Sequence, residues 1–270
     1  MIAVELHQLL RSRRTWVTIL MIDSLPTLVA VLLGVTEVGP RPGTGPAFLS
    51  AVLTDGTLFP LAAIAIVLPL FMPIAVSIVA GESIAGEAQQ GTLRYLLVRP
   101  VARTRLLVAK LVSVMVFVLL TLAVVAATAY VTGTLLLGDA PVAATTTVSG
   151  TTLTQQELIL RTLLALAYAM LSMFGVASIA LCLSTFVDAP LGAALGTLAV
   201  LVASTLLLTL DAADSIAPYL LTRYWLAFVD LFRDPILWRD VVRGALLQVV
   251  YVAVFLGIAW ANFATKDVKD

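Results

Sequence analysis

The sequence has one cysteine, Cys182, and one histidine, His7. A disulfide within the chain, a Cys/His zinc cluster and a Ser-His-Asp triad each need more of these side chains, so all three are excluded. Cys182 reads as a small buried apolar group and His7 as a polar position on a surface helix. Charge is also scarce: 12% of the 270 residues carry one, with a net charge of zero, where ordinary soluble domains run at about 25%. No overall field attracts nucleic acid. The lysines Lys110, Lys266 and Lys269 are never preceded by glycine, so the chain has no phosphate-binding P-loop and no nucleotide motor of its own.

What the chain has in abundance is apolar surface, 61% of its residues, with a mean hydropathy of +1.07. A bilayer core of about 30 Å needs about 20 helical residues. Six apolar windows meet that length, near 15–35, 58–80, 106–131, 159–183, 190–210 and 242–263. None shows the alternation of barrel strands, so the expected fold is an all-α membrane protein, one transmembrane domain over 1–270. Arg11, Arg13 and Arg14 precede the first window, which is longer than a signal-peptide core of about 7–15 residues and lacks a cleavage pattern. It reads as an uncleaved first span.

Basic residues set the expected orientation. Arg11, Arg13, Arg14, Arg94, Arg99, Arg103, Arg105, Lys110, Lys266 and Lys269 fall on one side of a six-span topology. Arg41, Arg161, Arg223, Arg233, Arg239 and Arg243 fall on or near the other. The bias places both termini in the cytoplasm. The stretch 211–241 spoils a clean count, and a five-span alternative would bring it inside. Residues 36–57, with Pro40, Pro42, Gly43, Gly45 and Pro46, and residues 132–157 read as outer loops. Between spans five and six, Tyr219, Tyr224, Trp225, Phe228, Phe232 and Trp238 recur among Asp and Arg residues, the composition of a membrane interface. They predict short interfacial or re-entrant helices, or a packed cap. Residues 1–14 place Ile2, Leu6, Leu9 and Leu10 near helical spacing and predict a helix lying on the cytoplasmic surface.

Residues 81–110 carry the most specific pattern. Thr92 can cap a short helix through Leu93, Tyr95, Leu96 and Leu97, which Pro100 should stop. The run Gly86-Glu87-x-x-x-Gly91-Thr92-Leu93, then Leu96-Leu97, Arg99-Pro100-Val101-x-Arg103 and Lys110, resembles the signature of the ABC type-2 permeases, with Ala102 where that family usually has serine. The Glu5-to-Trp16 helix and the ending Phe263-x-x-Lys266-Asp267 are similar too. The resemblance implies the membrane subunit of an ATP-driven exporter in the cytoplasmic membrane. It implies a cytoplasmic coupling helix between spans two and three, seated on a separate ABC ATPase that would hold the ATP and Mg, and a second permease copy or a similar permease. Glu87, Gly91, Thr92, Leu93, Leu96, Leu97, Pro100 and Arg103 are the coupling candidates on that basis, with Gly91 and Pro100 also able to serve only the turn.

Inside the spans, Asp23 costs about 2.5–3.5 kcal/mol at a helix centre, so it should face protein or water unless it lies near the interface. Gly192 and Gly196 form a small-xxx-small face for close helix packing, within the chain or beside a dimer pathway. Pro60, Pro69 and Pro73 should kink the second span. Two other functions compete: an ion-gradient transporter titrating Asp23, and a membrane scaffold that transports nothing.

Overall fold

A computed structural model of the chain describes residues 2–36, 56–91, 103–137 and 153–265. The described residues are helical, without strands, and six helices are long and apolar enough to cross a membrane. The chain is a multi-pass α-helical membrane protein. Helix α1 (Ile2–Arg11) precedes the first span, α2 (Arg13–Thr36), from which only Ser12 separates it. The Trp16 indole N–H reaches back to the Leu10 carbonyl, 2.8 Å away, and holds that corner.

The second span is interrupted. A 3-10 turn (Gly56–Leu58) leads into α3 (Phe59–Val67), a turn follows over 68–70, and α4 runs on as Phe71–Gln89. Pro69 sits in that break, where its missing N–H and its ring prevent an unbroken helix. The apolar window suggested an end near residue 80, but α4 continues through Gly81, Glu82 and Ser83 to Gln89. Buried Gly81, Ile84 and Ala85 explain this extension, because one face of that polar-looking stretch packs against neighbouring helices. Helix α3 is almost entirely enclosed, with Phe59, Ala62, Ala63, Ile64 and Val67 fully buried.

The other spans are α5 (Arg103–Leu137), α6 (Gln155–Phe186), α7 (Pro190–Leu207) and α8 (Trp238–Thr265). Helix α6 starts at a capping box: the Glu157 amide donates to Thr154 Oγ1 and the Thr154 amide to Glu157 Oε2. Glycines mark the close crossings. A Cβ on Gly133 of α5 would run into the Gly56 carbonyl, and one on Gly244 of α8 would lie 2.6 Å from Tyr224 Cβ. Gly81 of α4 lies so near α7 that its Cβ would be 3.1 Å from the Ala194 amide. Helices α4, α6 and α8 run toward the end of the bundle that carries α1, where Ile84, Leu106, Leu107, Leu181 and Phe263 make a small apolar core of their own.

Residues 211–237 contain three 3-10 turns, Asp211–Ala213, Ala217–Tyr219 and Ala227–Phe232, at the end of the bundle opposite α1. The segment goes deep rather than capping the surface. Leu221 lies by the Gly175 position of α6, Thr222 meets Ser204 three residues before the end of α7, and Trp225, Phe228, Leu231 and Phe232 are buried. Irregular backbone at such depth must be enclosed by protein and have its polar groups satisfied. The spans provide the donors: Gln248 Nε2 to the Leu221 carbonyl (2.9 Å), Tyr168 Oη to Tyr224 (2.7 Å), Tyr251 Oη to Tyr219 (3.0 Å), and Arg161 Nη1 to Leu231 (3.0 Å) and Arg233 (2.9 Å). The segment re-enters the helix bundle at the end opposite α1, held there by α6 and α8.

Candidate functional site

The motif-bearing residues connect the end of α4 to the start of α5. Thr92, Leu93, Leu96, Leu97 and Pro100 lie outside the described residues; Glu87, Gly91 and Arg103 lie within them. Helix α4 ends with Gly91 at φ +69, the left-handed conformation that terminates a helix without a Cβ penalty.

Just inside that end, Lys110 of α5 forms ion pairs with Glu87 of α4 and with Glu5 of α1, the latter at 2.8 Å. The lysine is almost wholly shielded from solvent, its side chain 8% exposed, and the carboxylates about one-fifth exposed, at 20% and 19%. An ammonium at that depth depends on its partners, since a buried charge left alone is costly. Three helices thereby meet at one cation.

Arg103 provides a second tie. Its Nη1 donates to the carbonyls of Phe263 (3.2 Å) and Ala264 (2.9 Å), the last turn of α8, where a helix leaves carbonyls unpaired and a cation is favoured by the helix dipole. Trp260 Nε1 donates to Thr104 Oγ1 at 3.0 Å beside it, and Asn262 Nδ2 to the Thr185 carbonyl at 3.0 Å. Both ends of segment 92–102 are therefore anchored: one to α5 and α1, the other to α8 and, through it, α6.

Ser184 of α6 adds a less obvious joint. Its hydroxyl donates to the Gly81 carbonyl (2.8 Å) and accepts from the amides of Ile84 (3.2 Å) and Ala85 (2.9 Å). The hydroxyl thus bridges one turn of α4, from Gly81 to Ala85, within a helix that runs unbroken from Phe71 to Gln89. A cleft of about 370 Å³ opens beside this region, lined among others by Arg14, Glu82, Glu87, Gln90 and Lys110.

The remaining sequence candidates lie elsewhere. Asp23 is buried between α2 and α5, where it accepts a hydrogen bond from Thr128 Oγ1, a helix-pairing contact. Gly196 packs toward Leu183, its would-be Cβ 3.1 Å from Cδ1, whereas Gly192 has only ordinary contacts and lies on the exposed side of α7. The close approach of α7 is made instead by Ala193 and Ala194 against Gly81. Sequence reasoning missed Glu5 and Ser184. Lys110, a lone cation at the head of an apolar run, was the available signal for the former; a serine in a span carries none for the latter.

A bundle of six apolar helices, entered by a broken second span and a re-entrant segment, and closed at one end by a buried charge cluster, defines a polytopic integral membrane protein. The chain belongs to the family described as "Protein of unknown function (DUF2705)", which it matches over residues 28–269, from within α2 to its penultimate residue. No curated protein matches it.

Proposed function

We propose that the chain is the permease subunit of an ABC exporter in the cytoplasmic membrane, with the α1 end and both termini facing the cytoplasm. A separate ABC ATPase, carrying ATP and Mg, would drive it, and a second copy or a similar permease would complete the pathway. The observation that carries this reading is the meeting of Glu87 and Lys110: two charged positions of the permease-like motif, 23 residues apart, form an ion pair at the base of segment 92–102.

Nucleotide-driven closure of a partner can move membrane helices only through an element that contacts both. Segment 92–102 fits that task because the helices at its two ends are fastened to the rest of the bundle. Pressure on it would pass along α4 and α5, to α1 through Lys110–Glu5, and to α8 through Arg103. The interrupted second span gives α4 a place to bend. Coupling through Thr92, Leu93, Leu96, Leu97 and Pro100 is part of the proposal, as are Gly192 and Gly196 on the pairing face. No catalytic step is assigned to this chain.

The test is purification from native membranes in mild detergent, followed by measurement of ATP hydrolysis and identification of a co-purifying P-loop ATPase. Leu96→Asp should abolish that hydrolysis or lose the ATPase while the helical circular dichroism stays unchanged. Unaltered assembly and hydrolysis with a charge at Leu96 and at Leu93 would remove the basis of the proposal.

A further inference from the structure

Four arginines in or beside the re-entrant stretch sit against the charge bias of the rest of the chain: Arg223, Arg233, Arg239 and Arg243. The structure gives one of them a packing role. Arg233 Nε pairs with Asp230 at 3.0 Å, much as nearby Arg161 is spent on two backbone carbonyls. Arg223, Arg239 and Arg243 are exposed, and no hydrogen bond or ion pair engages their side chains among the described residues. All three line a single cleft of about 520 Å³ between the re-entrant segment and the first turns of α8.

The acidic groups facing that cleft are Asp230 and Asp240. Asp230 is already paired with Arg233, so three guanidinium groups face one uncompensated carboxylate. Guanidinium groups match phosphate oxygens in geometry and charge, and basic clefts at the ends of membrane helices suit anionic lipid headgroups. Below the cleft the same face of α8 turns apolar. Arg239 and Arg243 are followed at helical spacing by Leu246, Val250 and Val254, which are 61%, 58% and 50% exposed. A phosphate held by the arginines would therefore have a ready path for hydrocarbon beneath it.

We propose that this cleft binds the phosphate headgroup of an anionic lipid, its acyl chains lying along Leu246, Val250 and Val254. The shared chemistry is a phosphate oxyanion, and the apolar continuation favours a lipid over free phosphate as its source. The site depends neither on the ATPase partner nor on which way the chain crosses the membrane.

Full-length protein in phosphatidylcholine nanodiscs would be titrated with phosphatidylglycerol and read by native mass spectrometry. Arg223→Gln, Arg239→Gln and Arg243→Gln should each weaken phosphatidylglycerol binding about fivefold, and together about a hundredfold. Arg13→Gln with Arg14→Gln, at the other end of the bundle, should leave it unchanged. An unchanged melting temperature would show that the triple variant is folded. Inorganic phosphate forms the second arm: competition only at large excess supports a lipid source, while equal competition assigns the anion to free phosphate and overturns the lipid claim. Binding that ignores the three substitutions, or falls equally with the Arg13/Arg14 pair, would overturn the site itself.

Discussion

At the scale of single residues, Lys110 has the largest energetic stake. Removing it leaves two carboxylates together, each shielded on most of its surface, in place of a compensated cluster. Loss of one partner from a fully buried pair costs about 3–5 kcal/mol, and partial exposure of the carboxylates lowers the expectation for Lys110→Ala to about 2 kcal/mol. Glu5→Gln keeps the Lys110–Glu87 pair and should cost well under half as much. Thermal unfolding of the two variants beside the unsubstituted protein in one detergent measures both; melting temperatures of both variants equal to that of the unsubstituted protein would show that the cluster adds nothing to stability. Asp23 shows a different arrangement: buried in an apolar span, it accepts a hydrogen bond from Thr128 of the neighbouring helix α5.

Among elements, the glycines separate crossings that require contact from those that do not. Gly244 of α8 faces Tyr168 and Tyr224, and a methyl group there has no room, whereas a Cβ on Gly257 of the same helix would meet nothing within 4 Å. Gly244→Ala should destabilise by about 1–3 kcal/mol and loosen the re-entrant segment; Gly257→Ala should be neutral or slightly stabilising. Unfolding in detergent, with tryptophan emission as a local readout of Trp225, distinguishes the two, and similar effects at both positions would refute the crossing. Much at this scale was legible in advance. Long apolar runs located all six spans, and of the three prolines expected to kink the second, Pro60, Pro69 and Pro73, the break falls at Pro69 while the other two lie in the first turns of their helices. The end of α4 was not legible, because Gly81, Glu82, Ser83 and Glu87 look like a loop unless one knows that α7 and Ser184 shield one side of them. The depth of 211–237 was undecided for a related reason: aromatic and charged residues suit an interface, and only the donors on α6 and α8 show that its carbonyls can be buried. The meeting of Glu5, Glu87 and Lys110 was beyond local patterning, since residues distant in sequence converge there through the packing of whole helices.

For the whole molecule, five crossings separate α1 from the re-entrant segment, an odd number that puts them at opposite ends of the bundle. Cys182 is the sole cysteine, so a Cys182→Ala background should show no labelling by a membrane-impermeant maleimide. Arg11→Cys and Asp214→Cys in that background should then label from opposite sides. With the proposed orientation, intact cells should label Asp214→Cys alone and inverted vesicles Arg11→Cys alone; labelling of both from one side would contradict the six-helix crossing pattern. The same experiment reads which side holds segment 92–102, on which the exporter proposal rests.

The satisfied carbonyls of residues 211–237 also impose an order on biogenesis. Gln248 and Tyr251 supply two of the donors, and both belong to α8, which leaves the ribosome after the segment itself. Until that helix enters the bilayer, the Leu221 and Tyr219 carbonyls must stay in water or in the insertion machinery. The segment therefore settles after synthesis of its own residues is finished, and a nascent chain arrested before residue 248 should keep it open to protease.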